Sequence, residues 1–127
     1  MSDTILLGLP DHRKLSGIVS AMKARRVALA PHLLKLEGEL KHAIVVGEPE
    51  LPDNVVSIGS TVKFEDLATG GQHYVRIVFP AELDGTEGTT SVLAPLGCAL
   101  IGERAGSSIS CQTPSGERLI RVLMVNR

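Results

Sequence analysis

Few side chains in this chain have the types and spacing that catalysis or metal binding requires. The four histidines are scattered along the sequence: His12, His32, His42 and His73. None has a carboxylate or cysteine at ligand spacing, whereas a zinc site needs three or four convergent ligands. Ser107, Ser108 and Ser115 have no histidine nearby in the sequence, so nothing supports nucleophilic catalysis. We therefore expect no metal, no cofactor and no enzymatic activity.

The two cysteines, Cys98 and Cys111, both lie within apolar patterns. Cys98 follows a glycine at the start of a short predicted helix, where its thiol pKa could be lowered, but burial as a small apolar residue is the favoured interpretation. A disulfide between the two is the alternative. The apolar run Ile5–Leu9 is too short, and too broken by Gly8, for an export signal. We therefore expect reduced thiols and a cytoplasmic protein.

Composition and charge exclude several classes of partner. The 127 residues are 43% hydrophobic and 21% charged, which is typical of a folded protein with one domain, or a small domain plus an appendage. A net charge of −1 argues against electrostatic capture of DNA, which needs a clustered basic surface. The only aromatic residues of the chain are Phe64, Tyr74 and Phe79, too few for base-stacking platforms. No apolar run approaches the ~20 residues of a membrane span. We expect neither direct nucleic-acid binding nor membrane insertion.

The first half of the chain has helical periodicity in two stretches. Pro10 and Asp11 mark a helix start, and an apolar stripe follows: Leu15, Ile18, Val19 and Met22. The pattern restarts around Pro31 with a second stripe, and Gly47 is expected to end that helix. The second stripe consists of Leu33, Leu36, Leu40 and Ile44. These two stretches predict an antiparallel helical hairpin over residues 1–47, a short coiled coil with helices of roughly 15 residues, or ~22 Å.

After the hairpin the hydrophobic period changes to two. The segment Glu48–Asp53 contains two prolines and no periodicity, which predicts a stiff linker at residues 48–53. Residues 54–127 then form the second predicted domain, with strands over 61–65, 73–79, 91–93, 108–112 and 119–125. Turns are expected at Ala68–Gly71 and around Pro114–Gly116, and a short helix over Pro95–Ile101. The expected fold is α+β, a compact antiparallel sheet with one small helix.

This second domain resembles the C-terminal domain of the GreA/GreB transcript-cleavage factors, an FKBP-like sheet. Its motifs follow in the family's order: Gly59–Val62, Glu65–Gly70, Ser91–Gly97, Ala99–Gly102 and Thr113–Glu117. Within that superfamily the chain is most similar to the regulator of nucleoside diphosphate kinase (Rnk) family. That similarity rests on Glu48–Val56 leading into Ser60, on Val78–Ala81 and on Ala94–Gly97.

The resemblance implies a protein that docks on RNA polymerase near its secondary channel, with the hairpin pointing inward. Gre factors carry an acidic pair at the hairpin tip, whose carboxylates help to hold a second Mg²⁺ at the polymerase active site. The predicted tip here, residues 23–32, contains no carboxylate and three cations: Lys23, Arg25 and Arg26. A basic tip on a shortened hairpin predicts a regulator that binds polymerase without stimulating cleavage and competes with Gre factors.

Two surfaces are candidates for partner binding, and each has a structural alternative. The short helix and its flanks could form the docking face or complete the core: Pro95, Leu96, Gly97, Ala99, Leu100, Ile101 and Gly102. The basic tip could contact an acidic partner or be a solvated loop. FKBP-type prolyl isomerases line their pocket with several aromatic residues, which this chain lacks, so isomerase activity is not expected.

Two alternative functions stay open at this point. One, implied by the Rnk resemblance, is regulation of the level or activity of nucleoside diphosphate kinase. The other is a generic dimerising adaptor that uses leucines of the hairpin, such as Leu36 and Leu40. The expected oligomeric state is a monomer or weak dimer.

Overall fold

A helical hairpin closed at its base by two short strands forms the first of two units. The computed structural model describes residues 4–113 and 115–127, and the chain divides into one unit that ends at Leu51 and another that begins at Pro52. In the first unit, β1 (Leu6–Gly8) leads directly into α1 (Leu9–Ala24), and α2 (Pro31–His42) is followed by β2 (Ile44–Val46). β1 and β2 pair in parallel. At 1.5 Å per residue, α1 is about 24 Å long and α2 about 18 Å.

The two helices pack through the apolar stripes predicted from the sequence. The buried members of these stripes are Leu15, Val19, Leu33, Leu36 and Leu40. Ile18 and Met22, at the edges of the first stripe, are half-buried. Neither helix start has a side-chain cap, but each has a proline in its first turn, where the missing N–H has no intrahelical partner to lose.

The expectation that Ile44 continues the second helix is wrong. That helix ends at His42, because the backbone of Ala43 is extended (φ −62°, ψ 145°), so Gly47 does not end it. Ile44 instead begins β2, and its N–H donates to the Ile5 carbonyl at 2.9 Å. The β-branched run of β2 favours a strand once β1 offers a partner. The expected irregular linker also contains a 3-10 turn at Glu48–Glu50.

The second unit is a five-stranded sheet with one helix. Its elements in chain order are β3 (Thr61–Asp66), β4 (Gln72–Val78), β5 (Thr89–Ser91), α3 (Pro95–Leu100), β6 (Ser108–Thr113) and β7 (Gly116–Asn126). The strands lie side by side in the order β5-β4-β3-β7-β6, and α3 packs against β5 and β6. The predicted α+β fold class is confirmed. Pro114, in the predicted turn between β6 and β7, lies outside the described residues.

We expected a wholly antiparallel sheet, but the sheet is mixed. β5 runs parallel to β4, with Arg76 opposite Thr89 and Val78 opposite Ser91. Residues 79–88 include a 3-10 turn at Pro80–Glu82, and this connection is long enough to carry the chain back along β4 before β5 begins. β5 covers Thr89–Ser91, whereas the sequence predicted this strand over residues 91–93.

One face of the sheet supplies the core, as the period of two predicts. Along β3, buried and half-exposed residues alternate strictly, and the neighbouring strands add their own buried positions. The buried apolar residues of this face are Val62, Phe64, Val75, Ile77, Ile120 and Val122, and Val78 at the end of β4 is also buried. A bulge in β7, opposite Lys63 and Phe64, shifts the register of its pairing with β3.

A buried carboxylate holds the turn between β3 and β4. Asp66 Oδ1 accepts a hydrogen bond from the Ala68 N–H at 2.9 Å. Its Oδ2 accepts two from the Arg118 guanidinium, at 2.9 Å from Nε and 2.5 Å from Nη2. The Arg118 hydrogen bond, followed by the backbone donor, holds the pKa of Asp66 below its usual value of 3.8. This pair connects the turn to β7.

α3 approaches β5 so closely that only glycine fits between them. A Cβ on Gly97 would lie 2.1 Å from the Ser91 carbonyl oxygen and 2.7 Å from the Val92 Cα. Both are backbone atoms, so no side-chain rotation can make room. Gly97 therefore sets the distance between the helix and the strand.

We expect Gly97→Ala to destabilise the protein by about 1–3 kcal/mol, the usual cost of overpacking, because the added methyl group must displace backbone. Gly17→Ala is the matched control: Gly17 lies on an exposed face of α1, and no atom lies within 4 Å of its added Cβ. This control should stabilise the protein by about 0.5–1 kcal/mol. Denaturant unfolding of the three proteins measures both effects, and equal shifts of one sign would contradict the close contact at Gly97.

A second prediction concerns the pH dependence of stability. Because the folded pKa of Asp66 lies below its unfolded value, the ionised carboxylate stabilises the fold above about pH 4. That contribution is lost as pH falls through the lower folded pKa. Asp66→Asn should therefore lower the thermal unfolding midpoint most near pH 7, and its gap from the wild type should shrink below about pH 4. A gap that stays constant through the acid range would show that Asp66 titrates normally.

Candidate docking surface and hairpin tip

The segment Thr90–Gly102 divides the predicted partner-binding residues into two groups. Four are buried: Gly97, Leu100, Ile101 and Gly102. The other three are half-buried: Pro95, Leu96 and Ala99. The burial of the first group supports the core interpretation for those positions. The second group gives α3 a small apolar outer surface, which is the part of the segment that a partner could contact.

Hydrogen bonds hold α3 from its middle and from the residues that follow it. The Cys98 thiol donates to the Val92 carbonyl at 3.1 Å. After the helix, Gly102 has a φ of 77°, and its N–H donates to the Val56 carbonyl at 2.9 Å. The Val56 N–H in turn donates to the Glu103 carbonyl at 2.9 Å. These hydrogen bonds hold the outer surface of α3 in a fixed position.

α1 ends in a Schellman motif that shapes the hairpin tip. The Val27 N–H donates to the Met22 carbonyl at 3.0 Å, and the Arg26 N–H donates to the Lys23 carbonyl at 2.9 Å. Arg26 has a φ of 58°, the only positive value among the non-glycine residues described. The turn thus places two consecutive arginines, Arg25 and Arg26, between the helices.

The three cations of the tip have different surroundings. Lys23 Nζ donates to Glu37 Oε2 at 2.6 Å, which lowers the pKa of Glu37. Arg25 and Arg26 are exposed, and over residues 4–113 and 115–127 neither side chain makes a hydrogen bond or ion pair. Positive charge at the tip is therefore only partly neutralised, and the two arginines carry the rest.

Groups suited to catalysis do not converge in the described part of the chain. Within it, no three side chains of His, Cys, Asp or Glu come together as a metal site would require. Cys98 and Cys111 are both buried and are not joined by a disulfide. A groove of about 420 Å³ between α1 and α2 is bordered by His12 and Lys41, and the His12 ring is engaged at 2.9 Å from the Leu40 carbonyl oxygen. Of the helices described, none has the length and apolarity needed to cross a bilayer.

Sequence reasoning missed the two ion pairs that matter here. Lys23 and Glu37 lie on different helices, and Asp66 and Arg118 are far apart in the chain. No local pattern in the sequence predicts either pair. The left-handed backbone at Arg26 was equally unforeseen, since the segment contains no glycine or asparagine to signal it.

Residues 51–127 match the family described as "Transcription elongation factor, GreA/GreB, C-term". GreA from Geobacillus kaustophilus is 32% identical over 105 residues, which cover 83% of this chain and 66% of that protein. GreA from Syntrophobacter fumaroxidans is 49% identical over 79 residues, covering 61% of this chain and 51% of that protein. The chain thus spans less than two thirds of the length of these curated relatives.

Two solved structures are similar to this chain in fold. A GreA/GreB transcription elongation factor from Nitrosomonas europaea superposes with a TM-score of 0.78 at 28% identity, over 99% of this chain and 100% of that one. Gfh1 from Thermus aquaticus superposes with a TM-score of 0.54 at 24% identity, over 99% and 100%, and this likeness concerns the fold alone. On its matching C-terminal unit, the chain belongs to the GreA/GreB family of transcription elongation factors.

Proposed function

We propose that this protein is a non-enzymatic transcription regulator that binds RNA polymerase near the secondary channel and competes there with Gre factors. One observation carries the proposal. A C-terminal unit of the GreA/GreB family, over residues 51–127, is joined to a hairpin whose tip has no carboxylate. The first part supports binding at the site that Gre factors use. The second part removes the chemistry that they perform there.

The composition of the tip argues against transcript cleavage. A second Mg²⁺ at the polymerase active site needs oxygen ligands, and residues 23–32 supply no side-chain carboxylate. Glu37, beyond the tip, is engaged by Lys23. Arg25 and Arg26 would repel a divalent cation. The lengths of α1 and α2, about 24 Å and 18 Å, also limit how far the tip extends.

The outer surface of α3 is the proposed contact with polymerase. Pro95, Leu96 and Ala99 are apolar, half-buried and adjacent on one short helix. Gly97 and the hydrogen bonds of Gly102 hold that helix in place, so little conformational entropy is lost when a partner binds. Small apolar surfaces on rigid supports are suited to contacts of this kind.

Regulation of nucleoside diphosphate kinase, the alternative implied by the Rnk resemblance, is compatible with this proposal through transcription of the kinase gene. A direct effect would appear as a changed rate when the purified protein is added to the purified kinase. For the adaptor alternative, Leu36 and Leu40 are buried within the single chain, so a dimer contact would have to use other hairpin residues such as Leu34, which is 54% exposed.

A competition assay tests the proposal. The protein should bind bacterial core RNA polymerase at micromolar concentration or below and displace a labelled GreA. In stalled elongation complexes it should inhibit GreA-stimulated transcript cleavage as its concentration rises, and it should stimulate no cleavage alone. Lack of binding at micromolar concentration, or binding that leaves GreA in place, would refute the proposal.

A matched pair of variants tests the contact surface. Ala99→Glu places a charge on the outer surface of α3 and should weaken polymerase binding about tenfold or more, because the charge would have to be desolvated. Ala68→Glu makes the same change on the exposed turn between β3 and β4 and should leave binding unchanged. Circular dichroism and thermal unfolding of both variants check that the fold is intact. Equal affinity for the two variants would exclude α3 as the docking surface.

A further inference from the structure

Arg26 holds a backbone conformation that favours glycine. Its φ of 58° lies in the left-handed region, at the position of the Schellman motif where glycine is the usual residue. An arginine here forgoes stability that a glycine would provide. Non-glycine residues in such conformations concentrate at functional sites, so the strain gives a reason to look for a role of this side chain.

The charges around the tip indicate that this role is to bind a negatively charged group through the guanidinium groups. Arg25 and Arg26 are exposed, and the described residues offer neither side chain a hydrogen bond or ion pair. Glu37 is already engaged by Lys23, and residues 23–32 contain no carboxylate. The chain as a whole has a net charge of −1, so this positive surface is local. Two forked donors thus stand side by side on one turn.

The surroundings of these arginines favour a protein partner over a nucleic acid. Guanidinium groups pair with carboxylates and phosphates alike. Residues 23–32 contain no aromatic side chain for base stacking, and two cations on an acidic chain neutralise too few phosphates for strong binding. Val27, 46% exposed, adds apolar surface next to the arginines. This combination of a small apolar surface with paired guanidinium groups fits a protein interface.

We infer that Arg25 and Arg26 bind a carboxylate-bearing protein surface of RNA polymerase, as a second contact in addition to that of α3. The inference rests on the proposed function. In this arrangement the tip lacks metal-binding carboxylates and carries positive charge complementary to the carboxylates of polymerase. The tip then contributes binding affinity, whereas the tip of a Gre factor contributes to transcript cleavage. Electrostatic contacts of this kind depend on ionic strength, whereas the apolar contact of α3 does not to the same degree.

The test compares two double variants that lose the same charge. Arg25→Gln with Arg26→Gly removes both tip cations, and Arg13→Gln with Arg104→Gln removes two exposed cations elsewhere. Affinity for core polymerase, free of nucleic acid, is measured at about 0.1 M and about 0.5 M salt. The tip variant should bind roughly fivefold more weakly than the wild type at low salt, and the two should converge at high salt as the screening length falls. The control variant, Arg13→Gln with Arg104→Gln, should have the affinity of the wild type at both salt concentrations.

A single variant separates binding from stability. Arg26→Gly should raise the thermal unfolding midpoint by a few degrees, roughly 2–4 °C, because glycine adopts the left-handed conformation without strain. The same variant should weaken polymerase binding. Opposite changes in the two measurements support a role in binding, whereas a residue that only shapes the turn would change stability and leave affinity unaffected.

The remaining outcomes overturn the inference in distinguishable ways. If the wild type binds polymerase and the tip variant binds equally well at low salt, the tip contact is refuted while the proposed function stands. If the tip variant is weaker only on elongation complexes that contain RNA and DNA, the partner is a phosphate backbone. If the wild type does not bind polymerase at all, both proposals fail together.

Discussion

The close approach of α3 to β5 is the contact on which the second unit depends. Because Gly97 has no side chain, the helix backbone rests against Ser91 and Val92. At that distance Leu100 and Ile101 enter the core, where both are fully buried. The same geometry leaves the opposite side of the helix at the surface. One steric constraint therefore sets the packing of the core and the shape of the proposed docking surface.

Local periodicity was enough to predict most of the fold. The apolar stripes of α1 and α2 gave the hairpin, and the alternation along β3 and β4 gave strands close to those observed. Pairings between distant segments were not predictable in this way. Ile44 has helical spacing with Leu40, and only the presence of β1 makes its segment a strand. The parallel pairing of β5 likewise depends on the path of residues 79–88, which no short pattern encodes.

The sequence was sufficient to predict which segments contain the candidate sites. It was not sufficient to predict which of their residues lie at the surface. The sequence identified Pro95–Gly102 and the cations of the tip, and burial then sorted the first group into core and surface residues. For the tip, the decisive facts are the engagement of Lys23 by Glu37 and the left-handed backbone of Arg26. The ion pair depends on the packing of two helices, and the left-handed backbone depends on the local hydrogen bonds that end α1, so residue type alone signals neither.

The position of β7 in the sheet affects the order of folding. β7 lies between β3 and β6 and pairs with both, so the β3 edge that pairs with β7, with Thr61 opposite Asn126, stays unpaired until β7 is in place. The helical hairpin, whose contacts are closer in sequence, can form while β3 still has an unpaired edge. During synthesis that edge is exposed to pairing with other chains until β7 is available, and non-local pairing of this kind is slow. Molecular chaperones that shield unpaired strands would therefore act on β3 in particular.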